Sequence, residues 1–364
     1  MSLTLIKPHQ RQCRCHATTR KGIYIHKSSV SKSLQQLIHS TTKIKSFSTA
    51  MSDSDTNKPI SAYKASVKVP PQEQSGLPGL DKNMAIPAEH SAVECWDASG
   101  RPYLKEYVGS EKLRGKKAII TGGDSGIGRT VAIFFAREGA DLTIVYLPEE
   151  EADAKSLKFE ISKSSANQVL LVPLDLTTPG AAQKVVSAHM ETYGALDILI
   201  NNASKQIFTS DIAELKDENI LSTFQANIIQ MMQLSREAIP HMKRGAAVVN
   251  TSSVVAYKGA RNLIDYSATK GAIATFTRSL ATQLAPKGIR VNAVAPGLFY
   301  TPLQPASRDA KGMEGWGLGA VPLHGRVGQP AEIGEAYVLL AGPGGNYMTG
   351  TVIHVNGGVH IGGA

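Results

Sequence analysis

The sequence predicts an α/β fold, a single doubly wound domain with a seven-stranded parallel sheet that follows an irregular N-terminal arm. Two observations carry this prediction. Apolar runs of strand length recur from residue 117 to the C-terminus and alternate with segments long enough for helices. A glycine cluster follows the first run and leads into a helical pattern. Such alternation is typical of parallel strands covered by helices on both faces.

The first unit of the domain has the pattern of a strand, a tight turn and a helix. The helical pattern stops at Gly139, a residue that commonly closes a helix. Strands are predicted at residues 117–121, 142–146, 169–172, 198–200, 247–250, 289–295 and 351–355, and helices at 127–137, 149–163, 179–193, 216–241, 265–284 and 330–340.

The charge of the chain is concentrated at its N-terminus. The formal net charge of the 364 residues is +9, with 39 basic and 30 acidic side chains. Nine of the basic residues lie within residues 1–50, which contain no acid, so the remaining 30 basic residues balance the 30 acids. We therefore expect a transit peptide at 1–50, a proline-rich arm at 51–110 and the catalytic domain at 111–364.

The leader sets the expected location of the protein. Its basic, hydroxyl-rich composition is typical of organelle import sequences. The stretch from Lys45 to Ser48 resembles a mitochondrial processing site, which favours the mitochondrion. A plastid, or a cytoplasmic product that begins at Met51, remains open.

Composition also excludes several classes of partner. A neutral folded part does not call for nucleic acid, and no apolar run approaches the roughly 18 residues of a membrane span. Cys95 is the only cysteine beyond the leader, and the histidines show no paired ligand spacing. The sequence therefore predicts no nucleic-acid partner, no membrane insertion, no disulfide and no metal site.

The glycine cluster predicts a dinucleotide site. It extends from Thr121 to Gly128 between a strand and a helix. Glycines allow the backbone to approach a pyrophosphate, and the N-terminus of the helix presents free amides and a positive dipole to it.

A second constellation predicts acid–base chemistry. Tyr266 and Lys270 are four residues apart on one helix, about 5–6 Å between Cβ atoms. A free tyrosine titrates at about 10, and a neighbouring cation favours its phenolate. Strand 247–250 leads into the hydroxyl residues Thr251, Ser252 and Ser253, at the edge where open α/β sheets bind ligands.

These motifs, in this order, resemble those of the short-chain dehydrogenase/reductase family over residues 113–364. The resemblance implies a Rossmann-type fold, a nicotinamide cofactor and a catalytic tetrad of Asn227, Ser253, Tyr266 and Lys270, in which Asn227 acts through an ordered water. It also implies cofactor contacts from Gly122, Asp124, Ser125, Gly126, Ile127, Gly128, Tyr146, Asp175, Leu176, Asn202, Ala203, Tyr266, Lys270, Pro296, Gly297 and Thr301. Ser204 departs from the family pattern, which usually has Gly after Asn-Asn-Ala.

More narrowly, several segments resemble the glucose and ribitol dehydrogenase-like branch, which includes NADPH-dependent aldehyde reductases. The cofactor is not fixed by the residues themselves. No acid follows the second strand before Glu149, which disfavours NAD(H). Ser125 stands where NADP-preferring relatives often have a basic residue, so no 2′-phosphate clamp is evident either. The branch resemblance favours NADP(H), with NAD(H) open.

The expected function is hydride transfer between a nicotinamide cofactor and a small alcohol or carbonyl compound, such as an aldehyde, ketone, sugar or polyol. A non-catalytic, cofactor-binding regulatory protein of the same fold is the alternative. The glycine spacing disfavours an epimerase or dehydratase, and the three-residue gap between Tyr266 and Lys270 disfavours an enoyl reductase. Residues 298–327 are expected to form a partly apolar lid. By resemblance, helices 216–241 and 265–284 pair subunits in a homodimer or homotetramer.

Overall fold

A computed structural model describes residues 59–362. The predicted leader, residues 1–50, and the first residues of the arm, 51–58, lie outside the described residues. Among residues 59–362, no helix combines the length and the apolar character that a membrane span requires.

The described chain contains nine strands and eleven α-helices. The strands are β1 (Ala92–Trp96), β2 (Pro102–Glu106), β3 (Lys117–Thr121), β4 (Asp141–Tyr146), β5 (Val169–Pro173), β6 (Leu196–Asn201), β7 (Met242–Thr251), β8 (Arg290–Pro296) and β9 (Val352–Val355). The helices are α1 (Lys64–Val67), α2 (Gly126–Arg137), α3 (Glu151–Ser164), α4 (Ala181–Tyr193), α5 (Asp217–Phe224), α6 (Gln230–Ala238), α7 (Val255–Lys258), α8 (Ile264–Leu284), α9 (Leu303–Ala306), α10 (Ala310–Met313) and α11 (Gly334–Ala341).

The predicted doubly wound sheet is confirmed. Strands β3 to β9 form one parallel sheet in the order β5-β4-β3-β6-β7-β8-β9. Successive side chains of a strand point to opposite faces, so Ile119 joins a core with α4, α6 and α8, whereas Ile120 joins a core with α2, α3 and α11. The chain leaves β3 towards β4 and β5 and later returns beside β3 as β6. This reversal creates the crevice in which ligands bind in open α/β sheets.

The predicted single helix at 216–241 is divided. A π-helical turn, Gln225–Ile229, separates α5 from α6. Such turns widen a helix locally and are frequent at functional sites. The closing glycine of α2 is confirmed, because Gly139 has a φ of +94° and donates to the carbonyl of Ala136.

The arm is largely irregular, as predicted, but it also contains the antiparallel hairpin β1–β2. It packs on its own chain. The Tyr107 ring stacks on Phe134 of α2 with centroids 3.8 Å apart. Gln72 Nε2 donates to the Tyr300 hydroxyl at 2.7 Å, and Tyr300 donates to a backbone carbonyl of the arm at 3.0 Å. The arm thereby fixes the segment that follows β8.

The predicted lid, 298–327, is partly core. Tyr300 and Met313 are fully buried and pack with Val69 and Met84 of the arm. These side chains therefore hold the segment in place. The residues of the segment that face the cleft are others, among them Thr301 and the first residues of α9.

The arm is joined to the sheet domain by a buried ion pair, which generates a stability prediction. Arg326 donates to Glu94 of β1 at 2.6 Å, with side chains 3% and 2% exposed, and also contacts Glu332. Arg326→Met leaves the Glu94 carboxylate buried without its cation, and we expect a loss of about 3–5 kcal/mol of unfolding free energy in urea titrations.

The matched control is Arg101→Met. Arg101 pairs with Asp97 in the same hairpin, but its side chain is 81% exposed, so its loss costs about 0–1 kcal/mol. Equal losses in the two variants would contradict a buried, coupled link between arm and domain.

Candidate active site

A cleft of about 510 Å³ lies at the carboxyl ends of the parallel strands, around the reversal between β3 and β6. Most of the predicted site residues meet there. They are Gly122, Asp124, Ser125, Gly126, Ile127, Tyr146, Asp175, Leu176, Asn202, Ala203, Ser253, Tyr266, Lys270, Pro296, Gly297 and Thr301. The two that do not line the cleft are Gly128 and Asn227.

The glycine turn has the geometry that requires glycine. Gly122 and Gly126 have φ angles of +59° and +50°, which other residues rarely adopt. A Cβ at Gly128 would lie 1.8 Å from the carbonyl oxygen of Gly122, so Gly128 allows the turn to close on the helix without itself facing the cleft. The first amides of α2 have no partner within the helix and point out of its N-terminus.

One of these amides is occupied by the arm. Asp81 Oδ2 accepts the Gly126 N–H at 3.0 Å and lies 3.2 Å from His90 Nε2. Burial acts to raise the pKa of Asp81, but the charge and hydrogen bond of His90 outweigh it and hold that pKa below its usual value. The arm thus places an ionised carboxylate at the N-terminus of α2, and Leu77 and Pro78 beside it line the cleft. Composition alone gave no signal for this contact.

Tyr266 is buried at the other end of the cleft, on the first turn of α8. Burial raises its pKa to about 12, against the lowering effect of hydrogen bonds from Ser253 and Ser204 and of the charge of Arg308. Ser204 Oγ also donates to Asn227 Oδ1 at 3.2 Å. Because a serine hydroxyl carries one proton, Ser204 can donate to either the Tyr266 oxygen or Asn227 at one time, but not to both. Ser204 is not among the non-glycine residues with positive φ, so its backbone does not need the glycine of the family pattern.

Lys270 lies one helical turn further along α8. Its Nζ donates to the Thr251 carbonyl at 2.9 Å and lies 5.3 Å from the centroid of the Tyr266 ring. Burial lowers the pKa of Lys270 to about 7. The charge that lowers the pKa of Tyr266 in this structure is that of Arg308. A role of Lys270 in lowering the pKa of Tyr266 stays a prediction.

Asn227 is fully buried in the π-helical turn behind the cleft. Its Oδ1 accepts from the Lys205 N–H at 2.7 Å and from Ser204, and its Nδ2 donates to the Lys205 carbonyl at 2.8 Å and to Thr269 at 3.0 Å. These four contacts use the full capacity of a carboxamide. A water bound at this residue would therefore have to use its backbone carbonyl.

The end of the cleft beside β4 is acidic. Both oxygens of the buried Asp124 lack a hydrogen-bond partner among the described residues, and burial with the neighbouring charge of Glu150 raises its pKa. Glu150 accepts the Leu147 N–H at 2.8 Å, and burial raises its pKa to about 7. The sequence pointed to Glu149 as the first acid after the second strand and gave no signal for Glu150. The 3₁₀ turn at Pro148–Glu150 places Glu150 in the lining of the cleft.

Comparison with known proteins agrees with this geometry. Residues 122–360 match a family model described as enoyl-(acyl carrier protein) reductase. NADPH-dependent aldehyde reductase 1, chloroplastic, of Arabidopsis thaliana is 46% identical over 295 residues, which are 80% of this chain and 98% of that protein. Glucose and ribitol dehydrogenase of Daucus carota is 40% identical over 298 residues, 81% of this chain and 98% of that protein.

A solved structure shows the same fold. A short-chain dehydrogenase from Burkholderia cenocepacia, in complex with NADP, has a TM-score of 0.62 and 29% identity, and the match covers 68% of this chain and 99% of that one. Fold, site and relatives together define an NAD(P)-dependent oxidoreductase. The chain belongs to the short-chain dehydrogenase/reductase family, which confirms the family, the fold and the enzyme class predicted from the sequence.

The buried Lys270 gives a prediction for stability against pH. Its folded pKa of about 7 lies below the ordinary value of 10.5, so between these values the unfolded chain binds the extra proton. Raising the pH through this window therefore stabilises the wild type relative to Lys270→Met, by at most about 1.4 kcal/mol per pH unit.

Urea titrations of both proteins between pH 7 and about 9.5 measure this difference. Lys158→Met is the matched control, because Lys158 is exposed on α3 and its ammonium is hydrated in both states. A difference between wild type and Lys270→Met that stays constant with pH would show that Lys270 is not desolvated.

Proposed function

We propose that this protein transfers a hydride between NADP(H) and the carbonyl carbon of a small aldehyde, ketone or sugar, or the matching carbon of an alcohol or polyol. The observation that carries the proposal is the convergence of the Tyr266 and Ser253 hydroxyls beside Lys270 in the cleft. The alternative, a regulatory protein that binds the cofactor without catalysis, has no need of this buried acid–base group, whose burial costs stability.

The cleft fits a dinucleotide. The glycine turn leaves no room for a Cβ at Gly128 and presents the amides of α2, which suits a pyrophosphate. We assign the adenosine end to Tyr146, Asp175 and Leu176, and the nicotinamide end to Asn202, Ala203, Pro296, Gly297 and Thr301. Asp124, Ser125, Gly126 and Ile127 line the stretch between these ends.

When bound, the reduced nicotinamide supplies the hydride. In the reducing direction Ser253 donates a hydrogen bond to the carbonyl oxygen of the substrate, and Tyr266 donates its proton to that oxygen. Burial suits this role because it keeps Tyr266 protonated at neutral pH. Lys270 holds the ribose, and Asn227 fixes the loop of Ser204 and Lys205 that borders the substrate.

Removing the acid should remove turnover. Tyr266→Phe keeps the ring but loses the proton donor, so we expect kcat to fall by about 100- to 10,000-fold. The absorbance of the reduced nicotinamide reports turnover, and calorimetry reports cofactor binding, which should be unchanged.

The matched control is Tyr257→Phe, because Tyr257 is half exposed on α7 and does not line the cleft. Full activity of Tyr266→Phe would overturn the assignment of Tyr266 as the acid.

NADP(H) is the favoured cofactor, with NAD(H) open. Support comes from relatives, since one is named for its dependence on NADPH and one solved structure contains NADP. Among the residues that line the cleft, the bases are Lys205 and Lys270, and the adenosine end holds Glu150 instead. A neutral Glu150 can donate a hydrogen bond to a 2′-phosphate, whereas an ionised one repels it.

This makes the cofactor preference dependent on pH. The pKa of Glu150 is about 7, so its charge grows as the pH rises from 6 to 8. We expect the Kd for NADPH to increase relative to that for NADH across this range, and Glu150→Gln to remove the dependence. The exposed neighbour Glu149→Gln is the control. If the ratio of the two Kd values in the wild type did not change with pH, Glu150 would lie away from the 2′ position of the cofactor.

We also propose that residues 1–50 are a transit peptide, 51–110 an arm and 111–364 the catalytic domain. The mitochondrion is favoured by the processing-like stretch at Lys45, while the chloroplastic relative supports a plastid. A fluorescent reporter fused to residues 1–55 distinguishes these destinations in plant cells, and a diffuse cytosolic signal would refute the leader.

A homodimer or homotetramer is the proposed assembly. Helices α5 and α6 and the turn between them expose Leu221, Ile229 and Met232, which are 70%, 40% and 48% exposed. Exposed apolar side chains on one helical segment favour a subunit interface. Sedimentation of the wild type and of Leu221→Glu tests this, and a monomeric wild type would refute it.

A further inference from the structure

Arg308 is held between two aromatic rings in the segment that follows α9. Its guanidinium carbon lies 4.5 Å from the ring centroid of Phe208 and 4.8 Å from that of Trp316. Phe208 comes from the loop after β6, so the two rings approach Arg308 from separate parts of the chain. Stacking of this kind fixes the plane and the direction of a guanidinium.

The polar neighbours of Arg308 are neutral. Its Nη1 donates to Gln304 Oε1, and Gln304 lines the cleft. Gln206 Nε2 donates to Ser307 Oγ at 2.7 Å and to the same Gln304 oxygen at 3.4 Å. Arg308 itself is not a lining residue, but its hydrogen bond to Gln304 joins it to the wall of the cleft.

No carboxylate neutralises Arg308 within residues 59–362. Burial lowers the pKa of Arg308 to about 10, and the group that opposes this is Tyr266. A desolvated arginine is normally paired with an acid. The charge of Arg308 in turn lowers the pKa of Tyr266, so Arg308 acts on the end of the cleft that holds Tyr266.

The charges that line the cleft are segregated. Glu150 and Asp175 lie at the adenosine end, and Asp124 lies in the stretch between the two ends. The lining around Tyr266 contains Lys205 and Lys270 and no acid. Lys205 Nζ donates to Ser222 Oγ at 2.6 Å and likewise has a neutral partner. The substrate end thus presents positive charge without a balancing carboxylate.

We propose that Arg308 binds an anionic group of the substrate, a carboxylate or a phosphate, so that the preferred substrates are carbonyl compounds that carry a negative charge. The inference rests on the proposed carbonyl chemistry and adds the substrate class. Arg308 suits either anion, because its planar donors match both geometries. A purely structural Arg308, held only by its rings, would not distinguish charged from neutral substrates.

Paired substrates test the proposal. The first pair is 4-carboxybenzaldehyde and methyl 4-formylbenzoate, and the second is glyceraldehyde 3-phosphate and glyceraldehyde, so the two pairs distinguish carboxylate from phosphate. We expect the wild type to prefer the charged member of at least one pair in kcat/KM. Arg308→Gln should lose about 10- to 150-fold with that member and less than about threefold with its neutral partner, since a hydrogen bond to a charged group contributes about 1.5–3 kcal/mol.

Two further variants separate the possible roles of Arg308. Arg308→Lys keeps the charge and should retain part of the preference. Arg278→Gln, an exposed arginine of α8 that contacts Thr275, should leave both rates unchanged. Equal losses with charged and neutral substrates in Arg308→Gln would overturn the proposal, as would a wild type that prefers neither charged member.

A binding measurement separates this proposal from the proposed reaction. The chain has two tryptophans. Trp96 stacks on His324 in the region of the hairpin, and Trp96→Phe leaves Trp316, on the Arg308 guanidinium, as the reporter. In that background, with NADPH present, 4-(hydroxymethyl)benzoate should change the fluorescence of Trp316 and its methyl ester should not.

A saturable response to the benzoate that is lost in Arg308→Gln, in a protein that turns over no carbonyl substrate, would support the anion site and refute the reaction. Turnover without any such response, by a wild type that also prefers neither charged member of the two pairs, would refute the anion site and support the reaction.

Discussion

Hydrogen bonds between neighbouring strand ends hold the whole site together. Thr121 Oγ1, at the end of β3, accepts the backbone N–H groups of Asn202 and Ala203 at 2.9 and 3.0 Å. The Asn202 side chain in turn donates to the carbonyl oxygens of Thr121 and Gly122. The chain continues from β3 towards β4 and from β6 towards β7, on opposite sides of the reversal. These contacts fix the glycine turn against the end of β6.

The same kind of contact continues to the catalytic helix. Asn201 donates to Asn250 Oδ1 at 2.9 Å, and Asn250 donates to Thr277 of α8 at 2.9 Å. Helix α8 carries Tyr266 and Lys270, so these buried amide contacts connect the end of β6 with the helix that holds the proposed acid–base pair. The Asn201 Oδ1 atom is buried without a partner among the described residues. The contacts that are made still favour a fixed arrangement, because each lost partner would leave a further buried group unpaired.

Burial has a second effect, on the chemistry itself. It raises the pKa of Tyr266 and lowers that of Lys270, and charges near such buried groups act more strongly than they would in water. Arg308 and the hydroxyl of Ser204 then influence the phenol more than the spacing of the catalytic motif suggests. Such a site is costly in stability, and the surrounding hydrogen bonds offset that cost.

Much of the fold was predictable because its signals are local. Each strand of the large sheet is an apolar run bounded by polar residues, and the predicted and observed ends differ by two residues or fewer except in β7, which begins at Met242 rather than at residue 247. The glycine turn and the pair of Tyr266 and Lys270 were recognisable for the same reason, since each lies within a few residues of sequence.

The features that sequence reasoning missed depend on tertiary contacts. The hairpin β1–β2 lies in a proline-rich arm whose composition indicates irregular chain. The π-helical turn at Gln225–Ile229 contains no glycine or proline that would indicate an interruption of the helix. The charge of Arg308 acts on Tyr266 although the two residues lie far apart in the sequence, and no spacing predicts that interaction.

The central claim is that the cleft delivers hydride to a carbonyl carbon, and isotope transfer tests it most directly. Cinnamaldehyde offers both a carbonyl carbon and an activated double bond, and NADPH carrying deuterium on the transferred position of C4 labels the hydride. The account predicts cinnamyl alcohol with one deuterium on the former carbonyl carbon, detected by NMR. Deuterium on the carbon β to the carbonyl, in a saturated product, would contradict it and assign the enzyme to enoyl reduction.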